Sequence, residues 1–227
     1  MKLRFVGKKM QIENVFTFSF EPSRKVSWQP GQYLHYELPH PEADDRGVER
    51  WFTISAPPYE KYIQLTTRFD TERSSSFKKA LFNLDPGAEI EVGEPRGGFL
   101  LEPEAARHIL IAGGIGVTPY HSMLLQLDHD NKPLNIDLFY ANRNEKFVFD
   151  SEFQELAARH PEFKIHKFIG SQKITEADLR PYIENPGNVF YISGPRPMVE
   201  VYQHLLEDLD VAPERIRTDY FPGYKLG

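Results

Sequence analysis

The chain contains no cysteine among its 227 residues. That absence removes disulfides, thiolate nucleophiles, cysteine-ligated zinc and cysteine-ligated iron–sulfur clusters together. No apolar run approaches the roughly 20 residues needed to span a bilayer. No signal-peptide core opens the chain either, because "MKLRFVGKKMQIENV" is interrupted by charge every few residues. A cytoplasmic protein without a membrane span is therefore expected. Positive charge is in deficit, with 27 Lys and Arg against 33 Asp and Glu, a net charge of −6. This balance argues against nucleic acid as a partner. Lys2, Arg4, Lys8 and Lys9 are a local exception, positive with no acid among the first nine residues. They read either as a solvated strand edge guarded by lysines or as a docking patch for an acidic partner. The 8 histidines are scattered without metal-ligand spacing, so no metal site is expected.

What is present is an ordinary globular composition, 40% hydrophobic and 26% charged, with enough chain for one large domain or two modest ones. The patterning favours two. Up to about Leu101 the chain runs in short stretches rich in β-branched and aromatic residues, broken by Pro and Gly: "VFTFSFEP", "QYLHYELP", "RWFTISAPP", "YIQLTTRF" and "AEIEVGEPRGGF". One helical segment, Ser74–Leu84, starts with three serines able to cap it. A closed antiparallel β-barrel is expected over residues 1–103. Residues 104–227 instead alternate strand and helix: "HILIAGG", "TPYHSMLLQLDHD", "LNIDLFYANR", "SEFQELAARHP", "KIHKFIG", "TEADLRPYI", "NVFYISG" and "RPMVEVYQHLLEDL". The spacing predicts an α/β domain with a parallel sheet. It also predicts that Ser151 and Gln154 open one helix as a capping box and that Thr175 caps the next.

In such a sheet, ligands gather beyond the carboxyl ends of the strands. "ILIAGGIGVTP" is a strand-to-helix turn there, where Gly114 and Gly116 let a phosphate approach backbone amides, and where Pro119 suits a first helical turn. A tight turn without a ligand explains a lone G-x-G equally well. The carboxylate that an ordinary dinucleotide fingerprint places after its second strand is missing, for that strand ends Tyr140-Ala141-Asn142-Arg143. Arg143 reads either as a partner for a ribose 2′-phosphate or as an exposed strand-end arginine. "YISGPRPM" repeats the strand, glycine turn and helix start, so that Gly113–Gly116 and Gly194–Pro195 are expected to face one extended ligand between them. In the first half, Arg50 and Phe52 share a strand face and Thr53 takes the other, which offers a phosphate partner, a stacking ring and a hydroxyl.

In their order along the chain, these segments resemble the ferredoxin–NADP reductase superfamily of flavoenzymes. "PGQYLHYELP" is similar to its G-Q-[FY] strand, "RWFTISA" to its R-x-[YF]-[ST]-x-x-S flavin signature, and "GGIGVTP" to its G-x-G-x-x-P loop. "SGPRPM" resembles its C-G-P-x-x-M, and "DYFPGY" its acid–aromatic–Gly–Tyr ending. The resemblance implies FAD as cofactor, with FMN the alternative, and NADH or NADPH as co-substrate. It assigns Arg50 to a flavin phosphate, Phe52 to the isoalloxazine ring beside Trp51, and Thr53 to a hydrogen bond near flavin N5. Thr66 and Thr67 would contact the ring or ribityl chain, and Ser74, Ser75 and Ser76 the pyrophosphate. Gly114, Gly116, Thr118, Pro119, Asn142 and Arg143 would receive the dinucleotide, and Gly194, Pro195 and Met198 its nicotinamide end. Phe221 and Tyr224 would cover the flavin. Thr53, Ser193 and Asp219 are the residues nearest the chemistry. Two departures stand out. Ala56 replaces the last signature serine, whose hydrogen bond is either missing or supplied by Ser55, and Ser193 replaces the cysteine before Gly-Pro.

By this resemblance hydride passes from nicotinamide C4 to flavin N5, and alignment of the rings supplies most of the rate effect. Electrons then leave to a separate acceptor, such as ferredoxin, flavodoxin or another diffusible species, because the length and the lack of cysteine leave no room for a fused globin or iron–sulfur domain. A monomer or homodimer is expected. The alternative is an electron-transfer subunit active only within a complex, and a third reading is a nucleotide-binding regulator without redox activity.

Overall fold

The computed structural model describes residues 1–221, the last of these for its backbone alone. The chain divides into two compact units, one of Met1–Leu100 with His121–Gln126, the other of Leu101–Tyr120 with Leu127 onward.

The first unit is a six-stranded antiparallel sheet built from β1 (Lys2–Ile12), β2 (Val15–Pro22), β3 (Tyr33–Glu37), β4 (Glu49–Thr53), β5 (Ile63–Arg68) and β6 (Glu89–Val92), in the order β4-β3-β6-β1-β2-β5. Just past β4 the Ser55 N–H donates to the Gln64 carbonyl of β5 at 2.8 Å, which draws the two edges of the sheet together toward the expected barrel. Alternation sends Leu3, Phe5, Leu34, Tyr36, Ile63 and Leu65 into a common core with Phe18 and Phe20. Each such side chain contributes roughly 1.5–3 kcal/mol by leaving water. Helix α1 (Ser76–Phe82) closes the core with the buried Phe77 and Leu81. It is shorter than the Ser74–Leu84 stretch suggests, because Ser75 is the cap and Asn83 ends the run.

The first basic residues, Lys2 and Arg4, are not on a sheet edge, whereas Lys8 and Lys9 lie where β1 pairs with β2 alone. From Lys2 to Arg4, β1 pairs on both sides, with β2 and β6. Its positive charges sit opposite acids on those neighbours: Lys2 pairs with Glu89 at 2.9 Å and Arg4 with Glu21, while Lys8 lies 4.0 Å above the Phe82 ring. Cross-strand pairing accounts for Lys2 and Arg4.

The second unit holds a five-stranded parallel sheet of β7 (Arg107–Gly113), β8 (Ile136–Asn142), β9 (Lys164–Ile169), β10 (Asn188–Pro195) and β11 (Ile216–Phe221), ordered β11-β10-β7-β8-β9. Its helices are α3 (Asp150–Arg159), α4 (Glu176–Ile183) and α5 (Arg196–Asp208), while α2 (Thr118–His129) starts and ends in this unit and its middle, His121–Gln126, belongs to the first. Ile109, Ile111, Phe139, Phe190 and Ile192 face Leu179 of α4 and Val199, Tyr202 and Leu206 of α5. The alternate residues Leu110, Ala112, Leu138, Tyr140 and Tyr191 are buried on the opposite face.

Two local expectations need correction. α3 starts at Asp150 after Phe149, which adopts φ 62°, so Ser151 and Gln154 lie inside the helix and form no capping box. Asp150 takes the first turn instead, where its charge complements the helix dipole. β11 is absent from the strands read off the sequence, because Arg217 and Asp219 interrupt its apolar pattern. Thr175 does cap α4, with its N–H and its hydroxyl both donating to the Asp178 carboxylate at 2.7 and 2.6 Å.

At the amino ends of the parallel strands, the buried Asp137 carboxylate gathers Arg107, His166 at 2.7 Å and the Tyr182 hydroxyl at 2.8 Å. Burial works to raise its pKa, but these three donors outweigh it and hold the carboxyl below the ordinary range.

Candidate functional site

In the first unit, pairing with β3 fixes where the residues of the "RWFT" strand point. Arg50 lies opposite Tyr36 and Phe52 opposite Leu34, so both share the core side of β4. The Phe52 ring packs 5.7 Å from Tyr36 and 5.9 Å from Phe77. Trp51 takes the other face, 55% exposed and stacked 4.5 Å from His35, and Thr53 is buried on that same face. One short strand thus separates Arg50 and Phe52 from Trp51 and Thr53. The Tyr36 hydroxyl beside Phe52 is buried and has no hydrogen-bond partner among the described residues. An unsatisfied phenol of this kind suits a polar atom of a bound ligand.

The serines and threonines are more committed than their sequence suggests. Ser74 Oγ accepts the Asp70 N–H at 2.9 Å, Ser75 Oγ accepts the Lys78 N–H at 3.3 Å, and Ser76 Oγ accepts the Asp44 N–H at 2.9 Å. Thr66 and Thr67 are both buried but point to opposite faces of β5. Thr66 Oγ1 bonds Thr17 Oγ1 and Ser55 Oγ, each at 2.8 Å. The Ser55 hydroxyl is therefore spent inside the sheet and does not replace the serine lost at Ala56. The Ser55 carbonyl accepts His121 Nδ1 at 2.7 Å, and the Ala56 carbonyl accepts the Ser122 hydroxyl at 2.8 Å.

Arg50 is anchored rather than free. Its guanidinium donates to the carbonyls of Arg46 at 2.7 Å and Gly47 at 3.2 Å and lies 3.4 Å from Asp44 Oδ1. The same carboxylate accepts the Ser76 N–H at 3.0 Å. The "EADDRG" stretch reads as an ordinary polar turn, and nothing in its pattern marks Asp44 as part of a site.

In the second unit the two glycine turns do not face each other across a gap. A Cβ placed on Gly116 would stand 2.2 Å from the Ser193 carbonyl oxygen and 2.7 Å from Gly194 Cα, so the turns touch backbone to backbone. Met198 covers Gly113 from α5, with its sulfur 2.3 Å from where a Cβ would be. No gap separates the turns, and together they present one joined surface. The glycines divide their work: Gly116 is required for the close approach, whereas Gly114, at φ +53°, meets only Asn142 Oδ1 at 3.7 Å and leaves its backbone approachable. Gly114–Val117 form one 3₁₀ turn that runs into Thr118 and Pro119 at the start of α2. Thr118 is buried, its hydroxyl donating to the Ile115 carbonyl at 3.1 Å. This arrangement of approachable glycine and helix start suits an anionic pyrophosphate.

At the tip of β8, the Asn142 carboxamide donates to the Lys146 carbonyl at 2.8 Å and so clamps the turn that carries Arg143. Tyr140, which the sequence reading did not single out, donates its hydroxyl to the Gly114 carbonyl at 3.1 Å. It lies within a buried apolar run, and no pattern distinguishes it from a plain core residue. Ser193 stands directly opposite Asp219 across the β10–β11 pair. The Ser193 hydroxyl is buried without a close hydrogen-bond partner among the described residues. Burial pushes the Asp219 carboxyl up to about 6, against the opposing effect of the neighbouring Ser193 hydroxyl. Pro195 precedes α5, and the Phe221 backbone pairs with it. The side chain of Phe221 and all of Tyr224 lie outside the described residues. Among the described residues no cluster of His, Asp and Glu can hold a metal ion, and no helix is long and apolar enough to cross a membrane.

An antiparallel barrel-like unit followed by a parallel nucleotide-type unit with paired glycine turns is the architecture of an FAD/NAD-binding module. Residues 110–204 match the oxidoreductase NAD-binding domain family. The fold of the chain is ferredoxin–NADP reductase-like. It is 30% identical to the glycine betaine monooxygenase reductase subunit of Chromohalobacter salexigens, over 90% of this chain and 60% of the relative. The fold matches the flavohem-like FAD/NAD-binding domain of nitric oxide dioxygenase from Vibrio cholerae, with TM-score 0.83, 22% identity and coverage of 97% and 98%. It also matches ferredoxin–NADP⁺ reductase from Plasmodium falciparum, with TM-score 0.82, 16% identity and coverage of 97% and 95%. The chain spans only 55% to 60% of the length of such curated relatives.

Proposed function

We propose that this chain is an NAD(P)H-dependent flavoprotein reductase that passes electrons to a separate acceptor. Residues 1–103 would hold FAD and residues 104–227 the pyridine nucleotide. The observation that carries the reading is the joined surface at the carboxyl ends of β7, β10 and β11, where Gly114 is open to approach and Ser193 meets Asp219. When bound, the nicotinamide supplies a hydride and the flavin accepts it and releases electrons onward.

The roles of the protein groups follow from their chemistry. Arg50 supplies a planar cation for a flavin phosphate. Phe52 offers an aromatic surface, Thr53 and Thr66 hydroxyls, and Trp51 and Thr67 flank them. Gly114 and Gly116 with Thr118 and Pro119 form the turn for the dinucleotide phosphates. Gly194, Pro195 and Met198 shape the surface for the nicotinamide end, beside the buried Ser193 hydroxyl. Asp219, half-protonated near pH 6, can hold or release a proton at its carboxyl close to neutrality. Arg143 is the group for a 2′-phosphate.

The relatives include proteins named as monooxygenase reductase subunits. Their names support a protein acceptor, in line with a small redox protein or an oxygenase component as partner. An absorption spectrum of the purified chain supplied with FAD, taken before and after anaerobic addition of NADH or NADPH, tests the reading. Flavin bands that bleach with one of the two are expected. A chain that takes up no flavin, or whose flavin neither nucleotide bleaches, would overturn it.

A further inference from the structure

Four donors converge on the Asp44 carboxylate. Arg46 contributes its backbone N–H at 3.1 Å and its guanidinium at 2.7 Å, Arg50 its guanidinium at 3.4 Å, and Ser76 its backbone N–H at 3.0 Å. Burial acts against the charge, but the hydrogen bonds from Arg46 and Ser76 outweigh it and hold the carboxyl far below the ordinary range. Asp44 also returns a bond, its own N–H donating to Ser76 Oγ at 2.9 Å. Two guanidinium groups and two backbone amides around one small anion are the donor set that proteins use for a phosphate. Here the anion belongs to the chain itself.

Asp44 lies in the connection between β3 and β4. The base of that connection is tied where the Leu38 N–H donates to the Val48 carbonyl at 2.9 Å. Beyond that tie the segment holds two residues at positive φ, Glu42 at 55° and Gly47 at 68°. Its tip is fastened to α1 through Asp44 and Ser76. Besides this cluster the segment touches α1 where the His40 ring packs 6.5 Å from Phe77, so its tip can be released when the Asp44 cluster is satisfied by something else.

We propose that Asp44 is a built-in stand-in for the flavin phosphate at Arg50 and Ser76, and that flavin binds by displacing it. The inference rests on the assignment of Arg50 to a flavin phosphate. It follows that the chain discriminates among flavins by a competition between anions: FAD and FMN must evict Asp44, whereas riboflavin, which has no phosphate, leaves it in place. The apparent affinity for phosphate-bearing flavins is lowered by the small fraction of chains in which Asp44 is already withdrawn.

Quenching of flavin fluorescence on the full apoprotein tests this with FAD, FMN and riboflavin. Asp44→Asn removes the charge but keeps the shape, and Asp44→Ser keeps an acceptor for the Ser76 N–H in case the first variant folds poorly. If Asp44 is withdrawn in about one chain in ten, both variants should bind FAD and FMN about tenfold more tightly, with riboflavin unchanged. Trypsin cleavage after Arg46 supplies an independent readout, and FAD should accelerate it in the wild-type chain while riboflavin does not. FAD binding that is unchanged or weakened in both variants, or FAD that protects Arg46, would overturn the displacement. A wild-type chain that binds no flavin at all would instead overturn the flavin assignment, and this proposal with it.

Discussion

Ser193 and Asp219 stand opposite each other across the last two parallel strands, with the serine hydroxyl buried and the acid pushed up to about 6 by its own burial. The raised value means that the folded chain holds this proton more tightly than the unfolded chain does. Its effect on stability is therefore absent below the ordinary carboxylate pKa near 4 and becomes a penalty as pH rises through about 6.

Asp219→Asn should accordingly stabilise the chain by about 2–3 kcal/mol above pH 7, the cost of a pKa held near 6, and change little at pH 4. Denaturant unfolding at the two pH values checks it. An equal effect at both would show that the carboxyl is not perturbed.

Asp137 makes the opposite case. Its carboxyl is held low by His166, Arg107 and Tyr182, so its stabilising effect is full above about pH 4 and lost as pH falls below the ordinary carboxylate value. Asp137→Ala leaves a partly buried Arg107 without its carboxylate partner and should cost about 3–5 kcal/mol at pH 7, with a smaller loss at pH 3. Thermal melts at both pH values would report it.

The two glycines of "GIG" should respond differently to alanine. At Gly116 the new methyl meets backbone 2.2 Å away, and the fold should lose about 2–3 kcal/mol or more. At Gly114 there is room, so the cost is the left-handed φ alone, about 1–2 kcal/mol. A Gly114→Ala chain as unstable as Gly116→Ala would contradict this division of work. Tyr140→Phe, which removes the hydroxyl that holds the Gly114 carbonyl, should weaken nucleotide affinity with less effect on unfolding. Calorimetric titration with NADH and NADPH reads the affinity.

Arg143→Ala should lower the preference for NADPH over NADH by roughly five- to tenfold if its guanidinium meets a 2′-phosphate, the worth of one exposed charge-assisted contact. Steady-state kcat/KM for both nucleotides decides the point. An unchanged ratio assigns the turn to Asn142 and its clamp alone.

Most of the architecture was legible because it is written in local pattern. Alternating aromatic runs gave the antiparallel unit, and strand–helix alternation gave the parallel one. What escaped was settled by tertiary context. β11 hides behind Arg217 and Asp219, and it is a strand because β10 offers it a ladder. The start of α3 is set by the left-handed Phe149, not by the Ser151–Gln154 pair that resembles a cap. The positive charges of β1 suggested an edge, yet the partners of Lys2 and Arg4, Glu89 and Glu21, lie far along the chain. At the candidate site, the residues proposed here for phosphate and proton chemistry stood out from their motifs. Tyr140 and Asp44 did not, because a tyrosine in an apolar run and an aspartate in a polar turn are unremarkable until their neighbours are known.

The contact between Gly116 and Ser193 makes the two turns one inheritance. They are nearly eighty residues apart in the chain, yet neither can change its backbone without the other. Transplanting "GGIGVTP" into a foreign sheet would carry over the letters and leave behind the surface that gives them their shape. A chimaera should therefore exchange both turns together, along with Met198, or neither.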